Sequence, residues 1–226
     1  MAIDFKLVIK LATPFVMSRP RTTLDGLLSA AVFRETGLMG GDTIPHIPLE
    51  REDGIFKGSC AFVSGGYTHA TVQRIMNLRG LADMTDEHFA PNSKGKVKRY
   101  LGVDIKRGPY KANMSSYAGI DAKTVIFFGK GDPDRVVELI KNNIPGLGRR
   151  ANAGAGEIID VSWVKVSADR DCSWIMPSGS PARPLPLDVW NRISGHRKMP
   201  VADLTVRVPY WSGEAVQAVY PMDTAA

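Results

Sequence analysis

A helix, a glycine-arginine loop and a strand succeed one another between Asp132 and Ser167, and this order constrains the chain more than any other feature. The loop reads Pro145-Gly146-Leu147-Gly148-Arg149-Arg150-Ala151-Asn152-Ala153-Gly154-Ala155-Gly156-Glu157. Glycine takes positive φ and lets another backbone approach closely, so Gly146, Gly148, Gly154 and Gly156 predict a shaped loop whose amides face an anion. Arg149 and Arg150 at its centre, with Asn152 alongside, favour a phosphate. The residues Gly146 to Ala151 formally satisfy the G-x-G-x-x-G/A dinucleotide fingerprint. That fingerprint needs a strand before the glycines and a helix after them, so that the pyrophosphate meets a helix N-terminus. Here the helix precedes and the strand follows, which argues against a nucleotide cofactor; no cofactor is expected.

The flanking chain supplies the scaffold. Phe5, Leu7, Ile9 and Leu11 alternate with Lys6 and Lys10, predicting a half-buried strand over Ile3 to Ala12. Thr22 with Asp25 has capping-box spacing, and Leu24, Leu27, Leu28, Ala31 and Val32 then recur at helical intervals up to Gly37. Asp25 reads as a capping residue. Leu38 to Arg51 is a loop holding His46. Ile55 to Ser64 and Tyr67 to Ile75 read as a hairpin around Gly65-Gly66. Asn77 to Gly119 shows little periodicity and reads as an irregular insertion. Thr124 to Phe128 is a continuous apolar run, hence a buried strand. Asp132-Pro133 then caps a helix striped by Val136, Val137, Leu139 and Ile140 that stops at Asn142-Asn143. After the glycine loop, Ile159, Val161 and Trp163 alternate into a strand reaching about Ser167. Leu204, Val206 and Val208 suggest one more strand in a proline-rich tail. The order is that of a split β-α-β arrangement, so the fold class expected is α+β and ferredoxin-like, or RRM-like. Residues 1–167 would form the domain, with an insertion at about 77–119, and residues 168–226 a β-containing C-terminal extension.

Charge points the same way. The formal net charge is +6, and it is concentrated: Lys94, Lys96, Lys98, Arg99, Lys106, Arg107 and Lys111 stand against the single acid Asp104, with Tyr100 and Tyr110 interleaved. Lysines with aromatics suit a single strand of nucleic acid. No run of 18 apolar residues and no basic-then-apolar leader occurs, which predicts no membrane segment and a cytoplasmic location. Cys60 and Cys172 form no CxxC or Cys/His cluster, so no metal site is expected and both read as small buried hydrophobes.

Three stretches carry a family resemblance. The glycine loop with basic centre after the second helix resembles the signature loop of the RAMP superfamily, the RNA-binding subunits of CRISPR effector complexes. Thr23-Leu24-Asp25-Gly26-Leu27-Leu28 resembles the start of the first helix in many of them. Val208-Pro209-Tyr210-Trp211 resembles a late motif of the Cas-five-like subunit of type IV systems. The resemblance implies a non-catalytic subunit that caps one end of a CRISPR ribonucleoprotein and holds the 5′ repeat-derived handle of the guide RNA. Its partners would be guide RNA, the backbone RAMP subunits and the large subunit, with target DNA a further candidate. Arg149 and Arg150 would hold phosphates, and the insertion's lysines with Tyr100 and Tyr110 would add charge and stacking surface.

The rival reading is a metal-independent endoribonuclease trimming guide-RNA precursors. It needs a base for the 2′-hydroxyl and a cation for the pentavalent phosphate. His46, between Pro45 and Pro48, is the best candidate base, with Lys57 or Lys111 as the cation. The blander reading of the loop is a tight helix-to-strand connection with solvated arginines. Trp163, Trp174 and Trp190 are expected in the core, and Trp211 is the tryptophan least suited to it.

Overall fold

The computed structural model describes residues 2–18, 21–76, 113–167, 172–223 and 225. Residues 1–70 and 118–226 make one compact unit and residues 71–117 a second.

In the first unit, strand β1 (Ile3–Leu11) buries Phe5, Leu7, Ile9 and Leu11, as the alternation predicts. Helix α1 (Leu24–Thr36) follows, ending on Gly37 at φ 78°. Its N-cap is Thr23, whose side chain accepts from the Gly26 amide, so the Thr22–Asp25 capping box is not formed. A 3-10 turn at Gly40–His46 leads to β2 (Arg51–Glu52) and β3 (Ile55–Phe56), a two-residue hairpin over Asp53 and Gly54, both at positive φ. Asp-Gly is a favoured pair for such a turn.

Strand β4 (Phe62–Val63) does not pair with the segment after Gly65-Gly66 as expected; it lies against β7. Strand β5 (Thr68–Met76) pairs instead with β6 (Asn113–Asp121). The end of the expected irregular insertion is therefore regular strand. Strand β7 (Thr124–Gly131) runs antiparallel to β1, then α2 (Pro133–Asn143) begins at Asp132, whose side chain accepts from the Arg135 amide. Strand β8 (Ile158–Lys165) closes the other side of β1, also antiparallel.

The sheet order is β4-β7-β1-β8. Taken in chain order as strands two, three, one and four, with α1 after the first and α2 after the third, this is the ferredoxin-like arrangement. The inward residues of β1, Val125 and Phe127 of β7 and Val161 of β8 bury against Leu24, Leu28, Ala31, Val136, Leu139 and Ile140 of the two helices. Each fully buried aliphatic or aromatic side chain contributes about 1.5–3 kcal/mol. Gly129 occupies β7 where a Cβ would lie 2.7 Å from the Phe5 ring, so close packing dictates glycine there. In β8 the register shifts opposite Lys10 and Leu11, so Ile158 faces Leu11 and the bulged Ile159 is 66% exposed. The simple alternation of Ile159 with Val161 is thereby broken.

The C-terminal part holds β9 (Leu185–Pro186), α3 (Leu187–Ser194), β10 (Val201–Leu204) and β11 (Val216–Val219), with sheet order β10-β11-β9. Trp174, Leu185, Val189, Trp190 and Val219 pack with Ile55 in a second core. Val206 and Val208 are buried, but in a turn-rich segment after β10 rather than in the strand expected from their spacing. Among the described residues no helix is long and apolar enough to cross a membrane.

Candidate nucleic-acid interface

The glycine loop joins α2 to β8 and is fastened to the chain leaving β1. The Arg149 amide donates to the Val16 carbonyl at 2.8 Å and the Gly156 amide to the Pro14 carbonyl at 3.0 Å. Thr13 locks the far end: its hydroxyl donates to the Gly154 carbonyl at 2.8 Å and accepts from the Glu157 amide at 3.0 Å. Across the loop, Leu147 donates to Gly156 at 2.8 Å and Ile158 to Pro145 at 3.0 Å, while Gly146 bridges Glu157. Loop and β1 exit thus form one layer at the end of the sheet.

The glycines answer to this fastening. Gly148 and Gly156 have φ of 82° and 64°, and a Cβ would lie 2.5 Å from the Val16 oxygen and 2.2 Å from the Leu147 oxygen respectively. Gly154, at φ 84°, faces open space. Arg150 itself sits at φ 67° and starts a 3-10 turn over Ala151–Ala153. The amides of Leu147, Arg149, Ala153, Gly154, Ala155 and Gly156 donate to backbone carbonyls. The amide cradle expected from the glycine content is therefore not offered at those positions. The outward-facing groups are side chains: Arg149 and Asn152 are exposed and Arg150 is half-buried. Nearby, Lys10 and Lys141 are already engaged with Asp160, at 3.3 and 3.7 Å.

The insertion cluster of Lys94, Lys96, Lys98, Arg99, Tyr100, Lys106, Arg107, Tyr110 and Lys111 lies outside the described residues. His46 is exposed at the end of its 3-10 turn. Lys57 is held by Glu52 at 2.9 Å and sits 3.7 Å from the centroid of the Trp174 ring, so its ammonium is engaged. Among the described residues no cluster of His, Cys, Asp and Glu could hold a metal ion.

Two stretches far apart in sequence meet in the fold. Tyr210 donates to Asp25 Oδ2 at 2.7 Å and accepts from the Thr23 hydroxyl at 2.9 Å. Arg183, fully buried, donates to Asp25 Oδ2 at 3.2 Å, to the Tyr210 oxygen at 2.8 Å and to the carbonyls of Phe56, Gly58 and Val206. Asp25 is thus a buried ion-pair partner, not a helix cap. Burial is the largest single influence on Arg183 and opposes its charge, but Asp25, Tyr210 and Cys60 together outweigh it, and its pKa lies above the ordinary value. Burial pushes the Tyr210 phenol up, and the Cys60 thiol up to about 12. Gly26 keeps the approach open, since a Cβ would sit 3.1 Å from Thr23 Oγ1 and 3.2 Å from the Tyr210 ring. Beside the network an apolar groove of about 220 Å³ is lined by Ala30, Phe33, Met39, Val208 and Trp211, the last 73% exposed. Periodicity could not reveal Arg183 or Thr13, because both act across more than 100 residues of chain.

The family model of CRISPR type IV associated protein Csf3 matches residues 65–222. No curated protein matches the chain. Among solved structures, a chain of the cryo-EM structure of the Type III-B Cmr-beta bound to cognate target RNA is similar at 13% identity and a TM-score of 0.38. That similarity covers 74% of this chain and 62% of the other, so this chain spans under two thirds of its length. The family match takes in the β5–β6 pair, α2, the glycine loop, Arg183 and Tyr210, well over half of the sequence, and the chain belongs to the CRISPR type IV associated protein Csf3 family.

Proposed function

We propose that this protein is a non-catalytic subunit of a type IV CRISPR ribonucleoprotein that holds the 5′ repeat-derived handle of the guide RNA and caps the backbone of the complex. The observation that carries this reading is the loop of Arg149 and Arg150, pinned through backbone bonds to Pro14 and Val16 and turned outward at the sheet end, in a Csf3-family chain. A pinned loop fixes the backbone from which the guanidiniums project, so little backbone freedom is lost when a phosphate arrives. The glycines serve the shape and the arginines the contact. The basic insertion around Lys94 to Lys111 is the candidate for reading bases, and the backbone subunits, the large subunit and target DNA are the candidate partners. The engaged state of Lys57, one of the two cations considered for that chemistry, favours a binding role over catalysis by His46 with Lys57.

The test mixes purified protein with a labelled guide-RNA precursor and with DNA of matched sequence. The reading expects tight RNA binding without cleavage, and a marked loss of affinity in Arg149→Ala with Arg150→Ala. Cleavage abolished by His46→Ala would establish the nuclease instead. Equal affinity for the DNA would remove handle recognition.

A further inference from the structure

The sheet face turned away from the helices carries a second site. Because Phe5, Leu7 and Ile9 point into the helical core, Asp4, Lys6, Val8 and Lys10 of β1 point to the opposite face. There Lys6 stands between Phe128 of β7 and Val164 of β8, its cross-strand partners. Part of this face is covered, where Phe62 and Ile126 pack with Met176 and Ala182 and the half-buried Val8 and Phe128 lie against them. The rest opens as a cleft of about 740 Å³ lined by Lys6, Ser64, Phe128, Val164, Lys165 and Ser167 among others, with two lysines and no acid among the described residues of its lining. Lys10 and Lys130, also on this face, are tied to Asp160 and Glu50 at 3.3 and 2.9 Å. Lys6 has no acid within ion-pair distance among the described residues.

We infer that this cleft binds one short segment of single-stranded RNA, with a base against Phe128 and the adjoining phosphate on Lys6. The described charges in its lining, Lys6 and Lys165, are complementary to a phosphate, and its floor is apolar, complementary to a base. A half-buried ring on a central strand of an open sheet is the platform on which unpaired bases stack. The hydroxyls of Ser64 and Ser167, which line the cleft, are suited to the ribose 2′-hydroxyl, which selects RNA over DNA. The site is separate from Arg149 and Arg150 and does not depend on their role.

The experiment uses the full chain with a labelled oligouridylate of about ten nucleotides, and the same length carrying 5-iodouridine for photocrosslinking and peptide mapping. Crosslinks are expected in the peptide containing Phe128. Phe128→Leu, which keeps an apolar side chain, should weaken binding about tenfold with an unchanged salt slope. Lys6→Gln should lower the slope by about 0.7. Arg149→Ala with Arg150→Ala should leave the Phe128 crosslink in place, so failure of this site and failure of the loop are told apart. If Phe128→Leu does not fold, Lys6→Gln and the crosslink decide. Unchanged affinity and slope in folded Lys6→Gln, crosslinks confined to other peptides, or equal affinity for the deoxyuridine oligomer would each overturn the site.

Discussion

At the scale of single residues, the Asp25–Arg183–Tyr210 network bears the largest predicted costs. Removing one partner of a buried pair leaves an uncompensated charge, so Asp25→Ala should lower the unfolding free energy by about 3–5 kcal/mol in a urea titration. Tyr210→Phe, which strips a donor from Asp25 and an acceptor from Arg183, should cost about 1–3 kcal/mol. A cost below ~0.5 kcal/mol for Asp25→Ala would mean that water reaches the pair. The Cys60 thiol is neutral and buried, with a folded pKa of about 12 against 9.0 for a free thiol. A pKa raised on folding stabilises below the unfolded value and loses that contribution as pH rises toward the folded one. Stability should therefore fall from pH 9 upward, by at most ~1.4 kcal/mol per pH unit for this one group. Cys60→Ala should delay the onset toward the ordinary tyrosine range, where burial of Tyr210 takes over. A pH profile identical in the variant would exclude the thiol as its source.

At the scale of elements, the glycine loop separates shape from contact. Gly156→Ala would drive a Cβ to 2.2 Å from the Leu147 oxygen at φ 64°, whereas Gly154→Ala meets only the cost of its φ of 84°. Thermal unfolding should show Gly154→Ala down by about 1 kcal/mol and Gly156→Ala by at least two or three times as much. Equal losses would mean that the loop relaxes away from Phe15 and Leu147. Local periodicity made β1, α1, β7, α2 and the core stripe legible, because each buries one regular face against its neighbours. It failed where pairing is non-local. Phe62 and Val63 resemble one arm of a hairpin but reach β7, and Ile159 alternates on paper while a bulge turns it outward. The candidate site is marked in the sequence by its arginines and glycines, since composition alone singles them out. Thr13, which clamps the loop from across the sheet end, and Arg183, which links α1 to Tyr210, carry no local signature. Asp25 belongs with them: its spacing to Thr22 suggests a cap, and only Arg183, from the far end of the chain, makes it an ion-pair partner.

At the scale of the whole molecule, a ferredoxin-like sheet supports two separate basic features, the arginine loop at its end and the Lys6–Phe128 cleft on its open face. A capping role predicts that the protein copurifies with backbone subunits of a type IV effector complex when they are expressed together; a well-behaved monomer without affinity for them would count against it. The central claim is that Arg149 and Arg150 hold phosphates of the guide-RNA handle. Its most direct test is the dependence of handle affinity on salt, measured by anisotropy for the native chain and for Arg149→Ala with Arg150→Ala. Single strands release roughly 0.7 counterions per phosphate contact, so two lost contacts should reduce the slope of log affinity against log salt by about 1.4. An unchanged slope in a folded double variant would place both arginines away from the RNA and contradict the account.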